Sequence, residues 1–214
     1  MPRVTDVIGY FPPPFLVDWK VKNGPTKCKQ IGDESKRVGS LVDALVQQDI
    51  RTGSYLLPNL QDKEVVNSMK SWELHKQAHP SYVQSVLVLH MQEELIDGTL
   101  TGHPDFVLQE GSTWGIDDLK TSKSIQPDYW TQVVKYTDLY RKKYQLPPPS
   151  FVGITRLDKL TGGPAEFVRI DGPGLASFLE YELSIFDHYY AIYQHGERIR
   201  EVMRRLREQE LLDL

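Results

Sequence analysis

One cysteine, Cys28, is too few for an internal disulfide. The sequence also lacks any apolar run near the length of a membrane span, and no signal-peptide pattern is present. No glycine-rich loop follows the GxxxxGK[ST] pattern, so the sequence encodes no nucleotide-driven motor. Internal repeats and low-complexity segments are missing too. Positive charge is not in excess: 25 Lys and Arg stand against 29 Asp and Glu, for a net charge of −4. That balance does not exclude a polyanionic partner, because acids can concentrate at a metal site while a binding groove needs only local positive charge. Local clusters exist at Lys120 and Lys123, at Arg141, Lys142 and Lys143, and among Lys20, Lys22, Lys27 and Lys29. The arginines from Arg198 to Arg207 are interleaved with Glu197, Glu201 and Glu208, which reads as a solvated, salt-bridged helix. What remains is the composition of one ordinary soluble domain, 214 residues with 40% hydrophobic and 25% charged. An intracellular protein is expected.

The chemistry concentrates between Gly102 and Tyr136. This stretch holds Gly102-His103-Pro104-Asp105, then Asp118-Leu119-Lys120, then Gln132 and Tyr136. Leu100 to Leu108 and Thr113 to Lys120 read as strands around a Gln109-Glu110-Gly111-Ser112 turn, giving an antiparallel hairpin. Side chains alternate along a strand, so Asp118 and Lys120 share one face while Asp117 and Leu119 take the other. The pairing brings Asp105 near Asp118. Two carboxylates converging there repel each other unless a cation lies between them. Oxygen-only ligands suit Mg²⁺ or Mn²⁺, with the Leu119 carbonyl as a further candidate ligand. Such a metal would polarise a phosphoryl oxygen, and Lys120 would stabilise the charge developing beside it. Thr121 and Ser122 are candidate phosphate contacts. From Gln126 to Tyr144 the sequence predicts a helix with Pro127 in its first turn and an apolar stripe of Trp130, Val133, Val134 and Leu139. Gln132 and Tyr136, four apart, project together. Each piece alone has an ordinary alternative: Asp-x-Lys as a solvated strand face, Asp105 as turn chemistry, Tyr136 as core.

The order GxxD, DxK, QxxxY resembles the RecB-type exonuclease branch of the PD-(D/E)xK nuclease superfamily. The motifs are Gly102-x-x-Asp105, Asp118-x-Lys120 and Gln132-x-x-x-Tyr136. The family carries an upstream GxxxH element whose His is a metal ligand. Here Gly39-Ser40-Leu41-Val42-Asp43 puts an Asp in that place. Asp43 is either a hard-metal ligand substituting for the His or the polar face of a helix. The resemblance implies an α/β restriction-endonuclease-like core, a mixed central sheet flanked by helices, with the metal site at one edge. It implies a Mg²⁺- or Mn²⁺-dependent deoxyribonuclease, an exonuclease on duplex ends or single strands, encoded by a prokaryote or phage. Recombination, repair or phage DNA processing is the implied setting, with a homo-oligomeric ring, a strand-annealing protein or a helicase as company. Several relatives hold an iron–sulfur cluster on four cysteines, which this chain cannot build alone. A structure- or site-specific endonuclease and a catalytically idle DNA- or protein-binding module are the alternatives.

The rest of the chain organises around this core as a single domain, with a helical part over 1–80, a catalytic core over 83–170 and a helical tail over 172–214. Short helices are expected at Val4 to Gly9 and Pro14 to Lys22, around a Phe11-Pro12-Pro13-Pro14 breaker, with Trp19 anchoring the second to the core. Longer helices follow at Asp33 to Gln48 and Asp62 to Ala78. Val83 to Leu95 reads as a buried strand, joined through an Asp97-Gly98 hairpin turn to the strand bearing Asp105. Ser150 to Leu157 and Glu166 to Ile170 read as paired strands. His90 and His103 read as structural or as supports behind the ligands, and not as ligands themselves. Glu93 and Glu94 read as candidate further ligands, and Tyr181, Tyr189, Tyr190 and Tyr193 as core packing in preference to base stacking.

Overall fold

The computed structural model describes residues 1–10 and 14–212. Phe11 to Pro13, most of the expected proline breaker, lie outside the described residues. The fold is mixed α/β. Its central sheet has four strands in the order β3 (Phe106–Glu110), β4 (Thr113–Lys120), β5 (Phe151–Arg156) and β6 (Glu166–Asp171). β3 and β4 form the expected antiparallel hairpin, with Phe106 opposite Asp117, and Gly111 in the left-handed region at φ 62° closing the turn. β4 and β5 run parallel, joined by the crossover helix α6 (Pro127–Tyr144), and β6 returns antiparallel to β5.

Helices cover both faces of the sheet. On one side Val107, Trp114, Ile116 and Val152 pack against Val133, Val134 and Leu139 of α6. The short α1 (Val4–Ile8) and the long α7 (Leu175–Leu212) close over the same core, through Val4, Val7 and Phe186. On the other side Phe106, Leu108, Leu119 and Phe151 meet α3 (Pro25–Thr52) and α4 (Lys63–Ala78). Val38, Val42 and Leu45 form the apolar face of α3, as their spacing requires. The N-terminus of α4 is capped by Asp62, which accepts from the Val65 N–H at 3.4 Å. Buried Asp49 ties α3 to α4 by accepting from the Trp72 indole at 2.8 Å and pairing with Lys76 at 2.5 Å. Along the outer half of α7, Arg200, Arg204 and Arg205 pair with Glu197, Glu201 and Glu208, the salt-bridged helix the sequence suggests.

Three expectations need correction. Val83 to Leu95 is not a strand: α5 (Pro80–Ser85) and a 3₁₀ turn at Val88–His90 occupy it, and Leu89 is 91% exposed. Only Val86 opposite Leu108 makes a strand-like bridge, while the Leu87 N–H donates to the Val107 carbonyl at 2.8 Å. The segment therefore covers the open edge of β3 without extending the sheet. Second, Leu100 to Leu108 is broken in two. β2 (Thr101–Gly102) pairs with β1 (Leu95–Ile96) across the Asp97-Gly98 turn, as a separate ribbon. Pro104 has no N–H to give a ladder, which explains the break just before Asp105. Third, Trp19 of α2 (Pro14–Asn23) is only half-buried and belongs to neither core. That helix lacks a continuous apolar face, which leaves nothing to drive it inward.

Gly102 is small for a physical reason. A Cβ there would lie 2.8 Å from two ring carbons of Tyr136 and 3.2 Å from Leu139. Gly32, inside α3, has nothing within 4 Å. Gly102→Ala is expected to lose about 1–3 kcal/mol through overpacking, and Gly32→Ala to gain up to about 1 kcal/mol of helix propensity. Urea unfolding of the two variants checks both signs.

Candidate active site

The end of β4 gathers most of the expected residues. Continuing the β3–β4 register by one pair places Asp105 opposite Asp118, on the face that Lys120 also shares. The ladder has ended there, and the Asp105 carboxylate takes over as acceptor: its Oδ2 receives the Leu119 N–H at 2.8 Å. The Leu119 carbonyl points to the same edge of the strand as its N–H, while its side chain is buried on the opposite face. The other Asp105 oxygen accepts from the side chain of Gln92. Gln92 sits at φ 55°, a left-handed conformation uncommon for a residue with a side chain, and its N–H also holds the Pro104 carbonyl at 3.0 Å. Nothing in the sequence marked Gln92, because its role depends on a backbone conformation with no residue signature.

Asp118 is 1% exposed and forms an ion pair with Lys120. Lys120 Nζ also donates to Gln132 Oε1 at 3.2 Å, and Gln132 Nε2 donates to Tyr136 Oη at 2.9 Å. The one-turn spacing of Gln132 and Tyr136 on α6 thus becomes a continuous polar chain, Asp118–Lys120–Gln132–Tyr136. Because Tyr136 accepts in this chain, its own hydroxyl proton is free to donate onward.

Asp43 reaches this network from α3. Burial first, and then the Asp118 charge, push its carboxyl up to about 7. Burial, Asp43 and Asp118 hold Asp105 well above the usual carboxylate range. Burial alone would lower Lys120, but Asp118 and Asp105 outweigh it and keep the ammonium above its ordinary value. Burial and the Asp118 charge likewise keep the Tyr136 hydroxyl protonated. The site is a group of neighbouring carboxyls beside one cation, with Asp43 and Asp105 raised first by burial and then by the charge of their neighbours.

The donor set fits a hard divalent ion: carboxylate oxygens whose repulsion such an ion would relieve. Among the described residues, no three His, Cys, Asp or Glu side chains stand ready as a finished coordination group. Two of the candidates are instead engaged, Asp118 by Lys120 and Asp105 by Leu119 and Gln92. Glu93 is not brought to this place. Its carboxylate is held by Lys143, Tyr144 and His90. Glu94 is exposed, and His90 is further engaged by the Tyr140 hydroxyl at 3.0 Å.

Beyond Lys120 lies a cleft of about 410 Å³. Lys36, Lys120, Lys123 and Lys159 line it, with Ser35, Thr121, Ser122 and Tyr129, and no carboxylate joins them. Lys159 is paired with Glu64 at 3.0 Å. Thr121 and Ser122 therefore do face a basic space, although the Ser122 hydroxyl donates to the Ser124 carbonyl at 2.8 Å. Lys36 and Lys159 went unnoticed in the sequence, since they come from α3 and from the turn after β5. A smaller, apolar cavity of about 180 Å³ between α6 and α7, lined in part by Val134, Leu179 and Leu183, touches none of these groups.

On the far face of β4, Asp117 is fully buried. Its Oδ2 accepts from the Tyr82 hydroxyl at 2.5 Å and the Thr155 hydroxyl at 2.7 Å. Its Oδ1 has no partner and lies 2.5 Å from where a Cβ on Gly153 would be. Burial pushes this carboxyl up to about 7.

Carboxyls that titrate near 7 in the fold but near 3.8 when unfolded hold protons in the native state that the unfolded chain has released. Their contribution is favourable below pH about 4 and is lost as pH rises through about 7. The metal-free protein is therefore expected to melt at a lower temperature at pH 8 than at pH 5. Mn²⁺ is expected to raise the melting temperature more at pH 8, and Asp43→Asn to flatten the pH dependence. Differential scanning calorimetry at the two pH values, with and without Mn²⁺, measures all three.

No protein-family model matches this chain, and no curated protein matches it. Among solved structures it is similar to the alkaline exonuclease LHK-Exo of Laribacter hongkongensis, at 16% identity over 77% of this chain and 86% of that one, with a TM-score of 0.32. A structure of LHK-Exo in complex with dAMP aligns over the same shares at 16% identity and a TM-score of 0.34. Likeness at these scores carries no functional weight.

Proposed function

We propose that this chain is a Mg²⁺- or Mn²⁺-dependent nuclease that hydrolyses DNA phosphodiester bonds from an end. The observation that carries this reading is the polar chain Asp118–Lys120–Gln132–Tyr136, facing Asp105 and Asp43 and opening on a lysine-lined cleft. Asp43, Asp105, Asp118 and the Leu119 carbonyl are the groups that would hold the ion. When bound, it would polarise a phosphoryl oxygen and acidify a water. Lys120 stands beside the same phosphate and stabilises the charge that develops on it. Gln132 orients Lys120 with its carbonyl and Tyr136 with its amide. Tyr136, kept neutral, donates its free proton to a phosphate oxygen. The lysines of the cleft hold phosphates of the strand next to the scissile bond, and Thr121 and Ser122 lie along that track.

We read the enzyme as an exonuclease and not as a structure- or site-specific endonuclease; cutting of covalently closed circular DNA would reverse that choice. In this reading the enzyme serves recombination, repair or phage DNA processing, as a homo-oligomer or beside a strand-annealing protein or helicase.

End-labelled single-stranded and duplex DNA, incubated with Mn²⁺, is expected to lose label as mono- or short oligonucleotides. Lys120→Ala is expected to slow this by about 10²–10³-fold. Undiminished cleavage in both Lys120→Ala and Asp118→Asn would discard the site. Binding of single-stranded DNA in EDTA, followed by fluorescence anisotropy, is expected to weaken with salt. Lys36→Ala and Lys123→Ala are each expected to reduce the logarithmic salt slope by about 0.7.

A further inference from the structure

The Lys120 ammonium has a third neighbour that the roles above do not use. Its Nζ lies 4.9 Å from the centroid of the Tyr129 ring, within the range of a cation–π contact. Tyr129 is in the first turn of α6 and precedes Gln132 by three residues, so the ring and the Gln132 amide approach Lys120 from one helix face. The ring also forms part of the cleft wall.

These neighbours are not equivalent once the site is loaded. A divalent ion on Asp118 competes directly with Lys120 for the same carboxylate. Released from Asp118, a lysine is a compact charge on a flexible four-carbon stem, and one hydrogen bond donated to Gln132 leaves it free to swing. An aromatic face attracts the ammonium without taking up a cation ligand or fixing its donors in one direction.

We propose that Tyr129 is a positioning residue, whose ring face keeps the Lys120 ammonium at the scissile phosphate when a divalent cation occupies Asp118. The proposal rests on the nuclease reading above. It assigns the work to the ring and none to the hydroxyl, so Tyr129→Phe should serve and Tyr129→Leu should not.

Two measurements on the full chain test this. In the Mg²⁺-loaded wild type, with lysine side chains ¹³C-labelled and Lys120 assigned through Lys120→Arg, a nuclear Overhauser effect is expected between the Lys120 ε-methylene and the Tyr129 ring. Its absence overturns the proposal without any variant at Tyr129. In single-turnover cleavage with Mn²⁺, Tyr129→Leu is expected to be about tenfold slower, the effect of roughly one cation–π contact. Tyr129→Phe should cleave within about twofold of wild type. Wild-type speed in Tyr129→Leu, or equal losses in the Leu and Phe variants, overturns the proposal. A wild-type chain that cleaves nothing removes the nuclease reading and this role together. A working nuclease indifferent to Tyr129→Leu removes this role alone.

Discussion

Burial of neighbouring carboxyls beside one lysine at the end of β4 is the constraint on which the site depends. Asp43, Asp105 and Asp118 come from a helix, a loop and a strand. Beyond burial, the Asp118 charge raises Asp43 and both raise Asp105, with Lys120 paired to Asp118. The fold holds these carboxyls in place through the Leu119 N–H on Asp105, the Gln92 side chain on its other oxygen, and the strand geometry that sets Asp118 and Lys120 on one face. Carboxyls in this arrangement would favour a cation among them, which is the basis of the proposed metal site.

β4 is held from both faces, and the far face explains its rigidity. Asp117, between Ile116 and Asp118, is anchored to α5 through Tyr82 and to β5 through Thr155. Gly153 leaves the room its carboxylate needs. The two hydroxyl donors tie β4 to α5 and to β5 on the face opposite Asp118 and Lys120. On that near face Gly102 admits the Tyr136 ring at close range, which sets where the Gln132–Tyr136 pair sits relative to Lys120. The glycine of the GxxD motif thus acts through packing, while Asp105 acts through charge.

The parts of this arrangement that were legible in the sequence are those governed by local periodicity. The hairpin turn at Gly111 and the strand alternation through Asp118 and Lys120 follow from a period of two, and the Gln132–Tyr136 pair from one helical turn. The readings that failed involve competition between local patterns and tertiary context. Val83 to Leu95 has the apolar content of a strand, but Pro80 starts a short helix there and only Val86 and Leu87 touch the sheet edge. The strand expected through Leu108 ignored what Pro104 does to a ladder, and that break is what frees Asp105 to accept from Leu119. Gln92, Lys36, Lys159 and Tyr129 were invisible for another reason. Each matters only through a neighbour far away in the chain or, for Tyr129, through a side-chain contact that spacing alone does not disclose.

The central claim is that these carboxylates form a site for a divalent cation. Anomalous scattering from crystals of the protein soaked in Mn²⁺ tests it most directly. The account expects a manganese peak bounded by the Asp105 and Asp118 carboxylates, with Lys120 moved off Asp118. Crystals that take up no manganese there, with the Asp118–Lys120 ion pair intact, would contradict it.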